Sequence, residues 1–355
     1  TTAIYGGITD NVPRLDYSGG ATCPSLLLEP SRTNSLEHSE YLNSSQYNKL
    51  NTTVIDDNVA VSPEGLQNAS KIKSGSSTLT SIGFENTSIA SQYRTFSMFA
   101  KAGEIEEILI FGVQVAQGVF FNLNDGTISG YYQGNSSQIT DAYSVNYGNG
   151  WYRYTVIFAS NSRPRIFNSL SQQITFTQTT GNGYYAYGLQ TEDATYPTSY
   201  IPTYGSSQTR AAEINSLGLS PVLSDNYSVF AEVTRITATF LNNGEFIDYR
   251  SSANDRLRIY NYNSGRIRFR LYYNDGTNDS FFTNSNDWDK GDTIKICFTY
   301  NNGNIFIYAN GEQLHSISQT LNNLNSIYME QEKCKQLLHF DFTLTEQEAI
   351  ALTTL

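Results

Sequence analysis

The sequence predicts an all-β chain of two consecutive antiparallel β-sandwiches closed by one short C-terminal helix. Three observations carry that expectation. Apolar residues alternate with period two along most of the chain, the spacing of half-buried strands. Clusters of Gly, Asn, Asp and Pro interrupt those alternations at hairpin spacing. A length of 355 residues exceeds one typical core, so two domains are expected.

Residues 1–24, with Gly6, Gly7, Gly19, Gly20, Pro13 and Pro24, read as an extended lead-in. The first sandwich is expected over 25–213. Within it, Thr95–Ala102 and Ile108–Val115 alternate as strands, and Val119–Leu123 ends at Asn124-Asp125-Gly126, where the Asp-Gly pair suits a hairpin turn. Trp151–Phe158 places Trp151, Arg153 and Thr155 on one face and Tyr152, Tyr154 and Val156 on the other. Tyr184–Leu189 is a further strand, and Pro197 and Pro202 hold Tyr196–Tyr204 extended.

Gly218 and Pro221 break the pattern, so the boundary is expected at 213–224 and the second sandwich over 225–355. There Val229, Ala231 and Val233 share a face, as do Ile294, Ile296, Phe298 and Tyr300. Asn301-Asn302-Gly303-Asn304 turns the chain, and Asn310-Gly311 is the strongest short hairpin signal. Thr345 followed by Glu348 forms a capping box, which starts a helix over Thr345–Thr353.

Composition narrows the function classes. Charged residues are 15% and aromatics 13%, with a mean hydropathy of −0.39, so uncharged polar residues supply the polarity. Such chains build sheets with polar loops. The aromatic content opposes disorder, and a net charge of −11 opposes general nucleic-acid binding. Cys23, Cys297 and Cys334 show neither paired nor metal-like spacing, and Cys297 reads as a buried thiol. No signal peptide and no apolar run near the ~18 residues of a membrane helix is evident, so membrane insertion is not expected.

Catalytic motifs are sparse. His38, His315 and His339 lack metal-ligand spacing, and neither a GxSxG elbow nor a phosphate loop occurs. Glu245-Phe246-Ile247-Asp248 bears a faint resemblance to the acidic strand of jelly-roll glycoside hydrolases. Those enzymes need a further carboxylate on the same face, yet Arg250 stands two beyond Asp248, and simple alternation sends Glu245 and Asp248 to opposite faces. The signatures expected of jelly-roll alginate lyases are missing as well. No catalytic residue is assigned.

The stretch RLRIYNYNSGRIRFRLYY carries the candidate site. Leu257, Ile259, Ile267, Phe269 and Leu271 fall on one face; Arg256, Arg258, Tyr260, Tyr262, Arg266, Arg268, Arg270 and Tyr272 fall on the other. A three-residue loop, Asn263-Ser264-Gly265, keeps the faces consistent and pairs Tyr260 with Arg268 and Arg258 with Arg270. Like charges directly opposite cost a few tenths of a kcal/mol, on the order measured for cross-strand pairs. Two readings offset that cost: acidic neighbours such as Glu232, Glu245 or Asp248 with tyrosines stacked on guanidiniums, or an anionic glycan gripped in forked contacts. Trp288, in the acidic loop 284–292, is either a packing residue or a sugar contact. That loop could also supply oxygen ligands to Ca²⁺, without the EF-hand pattern. No other cofactor is expected.

Two resemblances extend this reading. Ser199-Tyr200-Ile201-Pro202-Thr203 with Thr209-Arg210-Ala211, Pro13-Arg14-Leu15-Asp16-Tyr17 leading to Pro24–Asn34, and Gly150-Trp151-Tyr152-Arg153 together resemble a carbohydrate-module-like β-sandwich of bacteriophage and prophage tail and appendage proteins. IKICFTYNNGNIFIYANGEQL and the ending FDFTLTEQEAIALTTL resemble laminin-G-like, or concanavalin A-like, domains. The resemblances imply jelly-roll or concanavalin A-like sandwiches. They also imply a virion tail or extracellular protein that recognises cell-surface polysaccharide without cleaving it. A virion protein needs no export signal, since lysis releases it. A homotrimer or other homo-oligomer would multiply weak single sites. A polysaccharide lyase or hydrolase of another type, and a purely structural tail or adhesin spacer, remain the alternatives.

Overall fold

The computed structural model describes residues 15–16, 25–76, 79–80, 83–86, 94–134, 138–160, 162–213, 215–223, 225–234, 245–251, 256–262, 266–273, 276–283, 291–321, 324–329 and 333–354. The regular structure of the described chain is antiparallel strand, apart from a single α-helix at Glu346–Thr353. It divides into two compact units. Among the described residues, one unit spans Arg32–Arg210, and the other combines 15–31 with 211–354.

In the first unit two six-stranded sheets face each other. One runs Ile128–Tyr132, Gln117–Asn122, Glu107–Gly112, Pro164–Ser169, Gly83–Asn86 and Tyr47–Leu50. The other runs Ile139–Gly148, Trp151–Phe158, Arg94–Lys101, Gly183–Glu192, Ala69–Ser74 and Thr53–Ala60. Period-two alternation fills the space between them: Ile108, Ile110, Val119 and Phe121 from the first sheet meet Phe96, Met98, Tyr154, Val156 and Tyr184 from the second. The Trp151 strand divides as expected. Tyr154 and Val156 enter this core, whereas Trp151 lies on the opposite face with Phe99 and Tyr187.

That opposite face is covered by the 194–204 segment. Pinning it requires buried hydrogen bonds, because an irregular strap has few backbone partners of its own. The Asn34 amide supplies two, donating to Leu189 O at 3.1 Å and Ile201 O at 2.9 Å. Gln190 Oε1 accepts from Ile201 N at 2.6 Å, and the fully buried Glu192 accepts from Thr198 N at 2.9 Å. Arg153, over the Phe99 ring, donates to Ser97 Oγ and Thr198 O.

The second unit is also a sandwich. Its seven-stranded sheet runs Leu15–Asp16, Ser25–Leu27, Lys333–Phe340, Asn226–Thr234, Thr293–Asn301, Asn304–Ala309 and Glu312–Ser318. Its six-stranded sheet runs Asn215–Leu223, Leu324–Met329, Glu245–Arg250, Arg256–Tyr262, Arg266–Tyr272 and Asn278–Phe282. Val229, Ala231, Ile296 and Phe298 meet Ile247, Leu257, Ile259, Phe269 and Leu271 in one core. Both hairpin signals form as expected, with Asn302 and Gly303 at φ 44° and 87° and Asn310 and Gly311 at 48° and 84°. These positive angles are the two-residue turn that follows strand twist, and they explain the Asn-Gly pairs.

The helix is capped as its sequence dictates. Thr345 Oγ1 accepts from Glu348 N at 3.3 Å, and Glu348 Oε2 accepts from Thr345 N at 2.9 Å. Leu344 and Ala349 pack on Phe230, Cys297 and Tyr308, so the helix covers the outer face of the seven-stranded sheet. Cys297 and Cys334 are buried free thiols, each pushed up to about 12 by burial.

Two expected boundaries change. The lead-in does not stay apart: Leu15–Asp16 pairs with Ser25–Leu27, which pairs with Lys333–Phe340, so both strands belong to the second unit. Residues 25–31 are therefore not part of the first sandwich. The expected boundary at 213–224 contains Asn215–Leu223, a strand paired with Leu324–Met329. The pairing shifts register between Gly218 and Leu223, a stretch that contains Pro221, instead of opening into a linker.

Candidate functional site

The Arg256–Tyr262 and Arg266–Tyr272 strands pair in the expected register, Arg258 opposite Arg270 and Tyr260 opposite Arg268. Alternation then sends Leu257, Ile259, Ile267, Phe269 and Leu271 into the core, all at most 2% exposed. Arg256, Arg258, Arg268, Arg270 and Tyr272 take the outward face and are half-buried. The flanking strands extend it. Asp248 aligns with Arg258 on one side, and Ser280 aligns with Arg270 on the other.

Each guanidinium is held by a ring, a polar side chain or both. Arg258 donates to Tyr272 Oη at 3.1 Å and lies 5.3 Å from the Tyr260 ring. Arg268 donates to Ser280 Oγ through two nitrogens, at 3.2 and 2.7 Å, and sits between the Tyr260 and Phe282 rings. Arg270 donates to Asn278 Oδ1 at 3.1 Å and stands 4.7 Å over Tyr272. Arg250 lies 3.4 Å over the Tyr328 ring. Guanidiniums stacked on rings retain their outward N–H edges for forked contacts.

Asp248 organises one half of the face. It is 2% exposed, accepts from Arg256 through Nε at 3.1 Å and through a second nitrogen, and lies 3.3 Å from the Arg250 guanidinium. The acidic-neighbour reading therefore holds for Arg256 and Arg250. It does not extend to Arg270, which meets no carboxylate at ion-pair distance among the described residues. Glu232 pairs with Lys335 at 2.7 Å. Glu245 pairs through its backbone with Tyr260, and an irregularity between Glu245 and Ile247 shifts the register. The Glu245 side chain, and with it the expected placement of Glu245 and Asp248 on opposite faces, lies outside the described residues.

Tyr260 keeps its expected register but is 1% exposed, beneath the Arg258 and Arg268 side chains. Long arginine stems cover apolar surface, so a ring between two of them is buried. The Tyr262 side chain and Trp288, with the rest of 284–290, lie outside the described residues. The calcium expectation for that loop lies there too. Among the described residues, no three His, Cys, Asp or Glu side chains gather as a metal site, and no helix is long and apolar enough to cross a membrane.

Sequence reasoning missed Arg250, Tyr328, Asn278, Ser280 and Phe282 as members of this face. Asn278-Asp279-Ser280-Phe281-Phe282 shows no polar–apolar alternation, so Asn278, Ser280 and Phe282 are found only once its strand is paired to Arg266–Tyr272. Arg250 and Tyr328 needed the pairing of the Glu245–Arg250 and Leu324–Met329 strands.

No protein-family model matches this chain, and no curated protein matches it. Several solved structures are similar over about two fifths of its length. A native heptameric SAP-like pentraxin from Limulus polyphemus matches at TM-score 0.33 and 14% identity, covering 39% of this chain and 75% of its own. The CBM40 of the Ruminococcus gnavus IT-sialidase, solved with α2,3-sialyllactose, matches at TM-score 0.31 and 14% identity, covering 37% and 84%. A single-substitution variant of human galectin-16 matches at TM-score 0.31 and 11% identity, covering 36% and 94%. At these scores the likenesses carry no argument about ligand, which rests on the side chains alone.

Proposed function

We propose that this chain recognises cell-surface polysaccharide without cleaving it, as a receptor-binding appendage of a bacteriophage or prophage tail. The arginine and tyrosine face of the second unit is the contact, and its ligand is an acidic glycan. One observation carries the reading. Arg250, Arg256, Arg258, Arg266, Arg268 and Arg270 share that face with one carboxylate, Asp248, among the described side chains, in a protein of net charge −11. A concentration of one sign against the overall charge attracts the opposite sign. Rings beside the guanidiniums suit the apolar faces of sugars, and forked N–H groups suit carboxylate or sulfate. Asp248, the carboxylate a hydrolase would need here, is engaged by two arginines, which supports binding without cleavage. The setting in a virion rests on the resemblance of residues 13–34, 150–153 and 199–211 to tail appendage modules.

The test is titration of the whole chain with alginate, hyaluronate, chondroitin sulfate and neutral dextran, at low and physiological salt. Acidic polymers should bind, more weakly as salt rises, because exposed charges are screened within about 8–10 Å. Arg258→Ala and Arg268→Ala should each weaken binding several-fold with the fold retained, at the small fall in melting temperature that uncovering the Tyr260 ring brings. Equal binding of dextran, or new reducing ends after incubation, would overturn the proposal.

A further inference from the structure

The first unit holds a second polar cluster, remote in sequence from the arginine face. The hydroxyls of Tyr187, Tyr200 and Tyr204 all donate to one oxygen, Glu40 Oε1, at 3.2, 3.1 and 3.0 Å. A carboxylate oxygen offers two good lone-pair directions, so three hydroxyls crowd it, and two of them have a second partner: Ser39 Oγ beside Tyr200 and the Glu64 carboxyl beside Tyr187. Tyr187 is buried, and Tyr200 is anchored further by Ser39 Oγ at 2.6 Å. Tyr204 is 73% exposed, which makes it the donor able to turn to another partner.

The second oxygen of Glu40 and that of Glu64 are weakly engaged. Glu40 Oε2 and Glu64 Oε2 share one donor, Asn68 Nδ2, at 3.4 and 3.5 Å, both long for hydrogen bonds. Asn68 Oδ1 is itself buried without a partner. Beside them stand exposed apolar surfaces. Leu66 is 61% exposed in the same turn as Glu64, closed by Ser62 N donating to Leu66 O at 2.8 Å, and Tyr41 next to Glu40 is 53% exposed. The backbone at Tyr204 is held by a bridge to His38, yet its ring stands in solvent with its hydroxyl on a carboxylate.

We propose that Tyr204, Glu40, Glu64 and Asn68 form a second sugar site, for a pyranose that carries no acid group. The Tyr204 ring takes the apolar C–H face of the sugar, and Glu40 Oε2 and Glu64 Oε2 accept from its hydroxyl or amino donors. Two neighbouring carboxylates repel an acid group, so this site selects against the ligands that the arginine face attracts. Burial, with Glu64 nearby, also raises the Glu40 carboxyl above its ordinary value.

The experiment is saturation-transfer NMR on the whole chain with methyl glucoside, methyl galactoside, methyl mannoside, glucosamine and glucuronate as separate probes. At least one neutral or amino sugar should receive saturation, strongest at its C–H face, and glucuronate should not. A neutral sugar alone identifies a hydroxyl-reading site, and glucosamine alone identifies an amine-reading one. Tyr204→Ala and Glu64→Gln should each weaken that signal at least tenfold with the melting temperature unchanged, since Tyr204 is exposed. Arg258→Ala should leave it intact, so failure here is separable from failure of the arginine face. No transfer to any neutral or amino probe, or undiminished transfer in Tyr204→Ala, would overturn the site.

Discussion

Replacing Asp248 by Asn tests the internal electrostatics of the arginine face. The substitution keeps the shape and removes the charge. Asp248 is 2% exposed, and the side chains it meets, Arg256 and Arg250, are 18% and 32% exposed. A unit-charge pair near 4 Å is worth about 4 kcal/mol at an effective dielectric of 20. Breaking one side of a buried pair costs about 3–5 kcal/mol, because the other charge stays uncompensated. Arg250 and Arg256 keep partial access to water, so screening discounts that range to about 2–4 kcal/mol. For a unit of this size that lowers the melting temperature by roughly 5–15 °C. Calorimetry should show the loss in one of two transitions. A double-mutant cycle with Arg256→Gln should return a coupling of at least about 1 kcal/mol. A shift below about 0.5 kcal/mol for Asp248→Asn, or no coupling, would show that Asp248 does not hold the two arginines in place.

Three further outcomes are expected. Phe269→Ala, at a residue with no exposure, should cost about 3–5 kcal/mol by chemical denaturation. Burial raises the Glu192 carboxyl above its ordinary value of 4.5. The folded first unit therefore holds that proton more tightly than the unfolded chain, and this contribution to stability is present at acid pH and lost as pH rises. The fall in melting temperature from Glu192 as pH climbs above about 4.5 should vanish in Glu192→Gln, seen by comparing the two pH profiles. Cys297 and Cys334, both pushed up to about 12 by burial, should resist iodoacetamide at pH 8 in the folded protein and react fully in guanidinium.

Local pattern made much of this molecule legible. Alternation with period two placed Phe269 inward and Arg268 outward, and the three-residue turn fixed Arg258 opposite Arg270, because a one-residue slip would have mixed the faces. The capping box located the helix start at Thr345. What escaped the sequence depends on distant partners. Pairing of Ser25–Leu27 with Lys333–Phe340 joins residues some three hundred positions apart, and no local signal encodes it. Tyr260 lies buried because two arginine stems cover it, a consequence of side-chain length that alternation does not express. The Glu40 cluster draws its hydroxyls from residues 187, 200 and 204, which meet only through the strap laid over the sheet.

The most direct test of the arginine face is one titration of the whole chain with a polyuronate and with the same polymer after carboxyl reduction. The two ligands share their sugar backbone and differ in whether each unit carries a carboxylate or a neutral hydroxymethyl group. The acidic polymer should bind and the reduced one at least tenfold more weakly, with Arg270→Gln lowering affinity for the acidic form only. Equal affinity for both polymers, or an Arg270→Gln variant that binds the polyuronate as well as the wild type does, would contradict it.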